Sequence, residues 1–319
     1  MPAPLRRHFF NMRALVYKST GSWYNVTDEE GKHWKARIKG IFRTEDLTST
    51  NPIAVGDWVT LEPDAEEQDI AVIGGIEDRT NYISRQSPHN KNLHHIIAAN
   101  LDQSLLICTL KDPRTSQGFI DRFLIASEAY HVPAVLIFNK QDTWKAKEEA
   151  HFALWQDLYG RAGYKVLSIS VANGTGLEEA RALLQHKTTL LSGHSGVGKS
   201  SFLNAMFPAM GLRTGAVSDW SGKGMHTTTF AEMFDLDFGG KVIDTPGVRE
   251  FGVVDVPPNE LAQYFPEMRS LMVGCQFNNC LHLNEPNCAV KAAVEMGNFS
   301  PTRYQSYQNI LETIPKNKW

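Results

Sequence analysis

The chain has 319 residues, 42% hydrophobic and 21% charged, which is too long for one ordinary core, suits two or three, and excludes collagen-like and disordered classes. A formal net charge of −3 excludes a uniformly basic binder of polyanions. Residues 1–43 nevertheless carry nine Lys/Arg against Asp28, Glu29 and Glu30, and residues 44–80 carry ten acids against Arg79, so a nucleic-acid surface would be a patch. Charge alone fits an ordinary solvated sheet equally well.

Residues 1–11 read as a loose leader, because hydrophobic alternation begins near Leu15. Short period-two runs broken by turn residues predict strands at 14–18, 23–27, 34–38, 57–62 and 70–73. Five strands within 12–80 suggest an oligonucleotide-binding (OB-fold) barrel, a fold that holds RNA with exposed aromatics and a basic face. Trp23, Tyr24, Trp34, Lys35 and Arg37 are available for that, although each aromatic fits core packing as well. Residues 81–100, polar and rich in His and Asn, read as a linker. From there the period alternates between strand and helix: strands at 104–110, 134–138, 165–169, 188–191, 230–236 and 241–243, and helices at 118–130, 146–161, 177–184 and 199–206. Such alternation predicts a mostly parallel sheet with helices on both faces and ligands at the carboxyl ends of its strands. Helices are expected again at 289–296 and 303–314. No stretch approaches the roughly 18 apolar residues of a membrane span, and Arg6-Arg7 is not followed by the apolar core of a secretory signal, so a cytoplasmic protein with no membrane partner is expected.

The chemistry sits at the predicted strand ends. Gly193-His194-Ser195-Gly196-Val197-Gly198-Lys199-Ser200, followed by Ser201, matches the phosphate loop G-x-x-x-x-G-K-[ST]. Its glycines free backbone N–H groups for phosphate oxygens, its lysine meets the β/γ charge, and its serine hydroxyl meets magnesium. Asn139-Lys140-Gln141-Asp142 is the guanine-reading tetrapeptide: the Asp142 carboxylate can accept from N1–H and the exocyclic amine of guanine, a donor pair adenine lacks. A buried polar contact of this kind rejects the analogue by about 10⁴ in favourable cases. Ser170-Val171-Ala172 fits the loop that contacts the base next. Asp244-Thr245-Pro246-Gly247 matches D-x-x-G, with the aspartate reaching magnesium through water and the Gly247 N–H facing the γ-phosphate.

The order is inverted, since the tetrapeptide precedes the phosphate loop and no second copy follows Asp244. Between the phosphate loop and Asp244, residues 222–229 have the composition of a switch loop ordered by γ-phosphate and magnesium. Thr228 is the expected magnesium-sensing threonine, with Thr227 the alternative. Val248 stands where Ras-like enzymes have a water-positioning glutamine, which makes His226 the candidate catalytic residue; an ordinary loop histidine is the other reading.

Cys275, Cys280, His282 and Cys288 form C-x₄-C-x-H-x₅-C, four ligands within fourteen positions. Three Cys and one His close a tetrahedral shell, so a structural Zn²⁺ is expected, one per chain; a disulfide reading leaves an odd thiol. Cys108 stands apart in an apolar strand.

In this order the motifs resemble the bacterial ribosome small-subunit-dependent GTPase A family, the circularly permuted GTPases also called RsgA or YjeQ. The resemblance spans almost the whole chain, including Ile97-Ala98-Ala99-Asn100-Leu101-Asp102-Gln103 at the entry to the GTPase part. It implies a multidomain protein: an OB-fold barrel over 12–80, a linker over 81–100, a permuted α/β P-loop GTPase domain over 101–254 and a mainly helical zinc-binding domain over 255–319. It further implies Mg²⁺ with GTP, binding to the small ribosomal subunit and its rRNA late in maturation, hydrolysis stimulated by that subunit and release afterwards, with His226 involved in hydrolysis. A monomer is expected. The alternatives are an RNA-binding assembly module stabilised by nucleotide, whose turnover is incidental, and an enzyme using GTP to drive separate chemistry, for which no second catalytic constellation appears.

Overall fold

A computed structural model describes residues 12–38, 52–64, 66–86, 94–208, 231–245 and 256–314. They form two compact units that are interleaved along the chain. One holds the described residues up to Leu101 together with 231–235 and 243–245; the other holds 102–208, 236–242 and 256–314.

The first unit begins with five strands, β1 (Met12–Ser19), β2 (Tyr24–Asp28), β3 (His33–Ile38), β4 (Trp58–Pro63) and β5 (Ile70–Ile76). β1 pairs antiparallel with β2, β2 with β3, β3 runs parallel to β5, β5 pairs antiparallel with β4, and β4 returns to β1. The order 1-2-3-5-4-1 closes a barrel, which leaves no open edge among these strands. Alternate residues Ala14, Val16, Val26, Val59, Leu61, Ala71 and Ile73 fill its interior. Tyr24 is 1% exposed and belongs to this core, so it is withdrawn from the residues available to RNA, whereas Trp23, in the turn before β2, is 40% exposed.

Residues 81–100, expected as a linker, hold a two-stranded antiparallel ladder of β6 (Tyr82–Gln86) and β7 (His94–Ala99). The ladder is tied to the barrel by the Ala99 N–H bond to the Val55 carbonyl, 2.9 Å. Its buried residues, Ile83 and Ile96 to Ala99, are too few to impose a visible period on a stretch dominated by Asn and His.

In the second unit the strands β8 (Gln103–Cys108), β9 (Ala134–Phe138), β10 (Lys165–Ser168) and β11 (Thr188–Ser192) form a parallel sheet in the order β10-β9-β8-β11. The connecting helices are α1 (Gln117–Ala129), α2 (Ala146–Arg161) and α3 (Leu177–Leu184), and α4 (Lys199–Met206) follows β11. Strand residues such as Leu105, Ile137 and Leu191 pack with Leu184, Phe202 and Leu203 of the helices, the double cover that makes parallel strands read as continuous apolar runs. β12 (Glu232–Asp235) belongs to the barrel unit, pairing antiparallel with β1 through Lys18↔Glu232. Lys18 Nζ lies 2.7 Å from the Glu232 carboxylate, and the Tyr17 hydroxyl donates to Asp235. β13 (Lys241–Asp244) ends at the expected aspartate.

The C-terminal part of the second unit is helical: α5 (Pro266–Leu271), α6 (Ala289–Glu295) and α7 (Pro301–Thr313). They enclose a separate core of Leu261, Phe265, Met268, Val290, Phe299, Tyr307 and Ile310, to which Ile125 of α1 contributes. Among the described residues no helix is long and apolar enough to cross a membrane.

Candidate functional site

β11 delivers the chain into the loop 193–198 and α4 takes it away, the strand–loop–helix geometry in which backbone N–H groups gather at a helix N-terminus. Gly198 stands at the N-cap with φ +99°, and a Cβ there would lie 2.4 Å from the Asn139 amide nitrogen, so only glycine lets the two loops approach. Gly193 is similarly confined, its notional Cβ falling 2.5 Å from the Ile107 carbonyl oxygen. The Lys199 ammonium folds over the loop and donates to the carbonyls of Gly193 (2.6 Å) and His194 (3.0 Å), which places the cation above the backbone that would surround a phosphate.

Asn139, 3% exposed at the end of β9, ties the two nucleotide motifs together. Its amide donates to the Val197 carbonyl at 2.9 Å, and its Oδ1 accepts from the Val171 N–H at 3.3 Å. One side chain thus joins the tetrapeptide, the phosphate loop and the 170–172 loop. Lys140 takes the left-handed conformation at φ 66° and donates to the Asp112 carbonyl. The Gln141 N–H bonds the Ile169 carbonyl at 3.0 Å. The fully buried Ser170 donates to Asp142 Oδ1 at 2.5 Å, which fixes a carboxylate otherwise open to solvent. An aimed, exposed acceptor beside a glycine-rich anion cradle is chemically suited to a guanine nucleotide.

The loop after β8, residues 109–116, also enters this region and carries no recognised motif. Asp112 accepts from Lys140, Lys111 donates to the Thr143 carbonyl, and Gly196 approaches Pro113. Its position at the carboxyl end of a central parallel strand is the signal that would have marked it. His226, Thr227, Thr228, Gly247 and Val248, with the rest of 209–230 and 246–255, lie outside the described residues, as do residues 1–11.

Cys275, Cys280, His282 and Cys288 converge, their ligand atoms all within 4.8 Å of one another. Cys275 Sγ lies 3.9 Å from Cys288 Sγ, and His282 Nδ1 lies 3.5 and 3.4 Å from those two sulfurs. A tetrahedral ion with bonds of about 2.3 Å to sulfur and 2.0–2.1 Å to nitrogen requires edges of about 3.8 and 3.5 Å, so Cys275, His282 and Cys288 have the spacing of one face of a metal shell, with Cys280 within 4.8 Å as its fourth ligand. Burial pushes the Cys280 thiol up to about 12 and the His282 imidazole down from its usual value. A bound cation reverses the first of these effects and uses the neutral imidazole that the second favours. Cys108 is buried in β8, and its thiol is held well above the ordinary range, so it is an inert core residue.

The barrel aromatics are partly engaged. The Lys32 ammonium sits 3.7 Å from the Trp34 ring centroid and the Arg13 guanidinium 3.9 Å from that of Trp58, while Arg13 is held by Glu77 and Glu29.

Known proteins are similar over nearly the whole chain. A family model described as the RsgA GTPase matches residues 76–254, and one described as the RsgA N-terminal domain matches residues 14–73. Similar proteins include the small ribosomal subunit biogenesis GTPase RsgA of Christiangramia forsetii, 47% identical over 302 residues that cover 94% of this chain and 96% of that one. The protein of the same description from Cytophaga hutchinsonii is 49% identical over 300 residues, covering 94% and 98%. The crystal structure of YjeQ from Thermotoga maritima superposes with a TM-score of 0.77 at 33% identity, covering 95% of this chain and 98% of that one. YloQ, described as a circularly permuted GTPase, gives 0.73 at 30% identity, with 96% of each chain covered. With a five-stranded barrel ahead of a P-loop domain in which Asn139-Lys140-Gln141-Asp142 precedes the P-loop, and a Cys₃His cluster behind, this chain belongs to the RsgA family of GTPases.

Proposed function

We propose that the chain is a GTPase of small-subunit maturation that engages the subunit and its rRNA in the GTP state, hydrolyses GTP when the subunit stimulates it, and then dissociates as a monomer into the cytoplasm. Its working parts are a barrel over 12–80, a GTPase domain over 101–254 and a metal-binding domain over 255–319. The observation that carries this reading is the Asn139 link, which makes base recognition and the phosphate cradle one assembly. Guanine is selected by Asp142, aimed by Ser170; the phosphates are met by the backbone of 193–201 and by Lys199. Ser200, Thr228 and Asp244, assigned by motif, would hold magnesium, which when bound would neutralise phosphate charge. His226 positions the attacking water. Zn²⁺ is held by Cys275, Cys280, His282 and Cys288 with no open position, so it acts structurally. Trp23, with its exposed ring, is the barrel aromatic best placed to stack on a base, because Lys32 and Arg13 already cover Trp34 and Trp58.

The test is GTP turnover by the zinc-loaded protein with and without small ribosomal subunits, using large subunits and ATP as controls. Acceleration by small subunits alone, with GTP alone, is the expected result; no acceleration would refute the ribosome-gated mechanism.

A further inference from the structure

Helix α1 contains none of the nucleotide motifs, yet it touches both chemistry-bearing parts of the second unit. In its first turn, Phe119 lies against the imidazole of His194 in the phosphate loop, ring centroids 3.6 Å apart and planes inclined by 31°. Two residues on, Asp121 is fully buried and accepts from the Tyr159 hydroxyl at 2.9 Å and from Arg303 Nη1 at 2.6 Å. Arg303, on α7 and 1% exposed, turns its other edge to Glu267 of α5 with bonds of 2.9 and 3.0 Å. The adjoining Tyr304 donates to the carbonyl of His282, a residue of the Cys₃His cluster, and Tyr307 donates to the Leu281 carbonyl at 2.7 Å. A continuous chain of contacts, buried at Arg303 and Asp121 and half-buried at Tyr304, Phe119 and His194, therefore runs from the metal knot through α7 and α1 to the phosphate loop.

Two features make this chain stiff. Asp121 Oδ2 is buried with no hydrogen-bond partner, so the carboxylate is held through Oδ1 alone, by the Tyr159 hydroxyl and the Arg303 guanidinium, its one charged partner, and cannot drift from Arg303 without stranding a charge. Phe119 lies in the first helical turn, capped by the Ser116 hydroxyl accepting from the Phe119 N–H, and Asp121 opens the second turn directly beyond it. Any shift of α7 that moves Arg303 is passed to the end of α1 that rests on the phosphate loop.

We infer that α1 couples the Cys₃His knot to the phosphate loop, with Arg303, Asp121 and Phe119 as positioning residues for guanine-nucleotide binding, so that an event at the C-terminal helices alters nucleotide release. This rests on residues 193–200 being the phosphate loop. It differs from a merely structural role for the buried ion pair in one respect: substitutions at its two ends must interact energetically.

The test measures release of fluorescently labelled GDP from the full-length, zinc-loaded chain carrying Asp121→Asn, Phe119→Leu, or both. Each single change is expected to speed release about fivefold or more, the double change hardly further. Arg303→Lys, which keeps the charge and loses the fork, replaces Asp121→Asn if that variant does not fold. Ile310→Val, a mild core change on α7 away from Arg303, should leave release within about twofold, which separates coupling from loss of stability. Independent, multiplying effects, or no effect, would overturn the coupling. Lys199→Ala in the same assay tests the underlying assignment: unchanged GDP binding would remove the phosphate-loop reading itself, whereas lost binding beside multiplying effects at Asp121 and Phe119 removes only the coupling.

Discussion

Ser170 gives up all contact with solvent, and its hydroxyl is spent on one oxygen of Asp142. A carboxylate that must accept two hydrogen bonds from a base edge is effective only if its plane is fixed before the base arrives, because ordering it afterwards costs binding energy. Ser170→Ala keeps the fold, since it removes one small polar group from a site already closed by the Gly174 N–H bond to the Ser170 carbonyl. A hydrogen bond to a charged group is worth about 1.5–3 kcal/mol, so GTP affinity should fall by about 10- to 150-fold while weak ATP binding stays unchanged. Titration calorimetry with both nucleotides measures this, and equal losses for GTP and ATP would show that Ser170 supports the loop without aiming Asp142.

At the scale of elements, the Cys₃His loop is a short, weakly periodic segment whose ligands could hold a metal. Cys280 and Cys288 are packed in the same core as Phe265, Tyr307 and Ile310, so the shell is part of the helical packing. Binding of structural zinc in small peptides is worth about 10–16 kcal/mol, comparable with the whole stability of a domain. One zinc per chain is therefore expected by elemental analysis, and chelation should melt α6 and α7, seen as lost helical circular dichroism. Cys288→Ser should give a chain with less zinc and a lower melting temperature that chelator no longer changes. The same elements mark where sequence stops informing. The barrel strands and the βαβ alternation were legible because period and turn residues agree over several elements, and the nucleotide motifs because they fall at strand ends. The β6–β7 ladder was missed because its buried residues are few and flanked by Asn and His. Tyr24 and Trp34 lie on the neighbouring strands β2 and β3, and only the register Tyr24↔Ala36 and Val26↔Trp34 shows that both turn toward the barrel interior, Tyr24 fully buried and Trp34 packed at the edge of the same core. Asp121 and Arg303 are 182 positions apart, beyond any local pattern.

At the scale of the whole molecule, the two units alternate along the backbone. Among the described residues, the chain passes from the barrel unit to the second unit at 101/102, returns by 231, leaves at 235/236, returns at 242/243 and has left again by 256. The pairing of β12 with β1 joins residues 214 positions apart, and Lys18–Glu232 and Tyr17–Asp235 hold it within the barrel unit. Loss of the barrel would thus strip β12 of its partner strand, and loss of the second unit would strand the residues on both sides of that strand. Loop closure over such a span costs entropy that is recovered only when the distant strands are both formed, and because the segments flanking β12 belong to the second unit, one joint transition is the expected outcome. The tryptophans supply separate probes: Trp23, Trp34 and Trp58 lie in the barrel unit, Trp144 and Trp155 in the second. With zinc retained and GDP bound, single-tryptophan variants reporting on each unit should give superimposable urea transitions, and Glu232→Gln with Asp235→Asn should move both midpoints together. Two separated transitions, or a midpoint shift confined to the barrel probes, would show that each unit is stable by itself and that the interleaved chain carries no mechanical linkage between them.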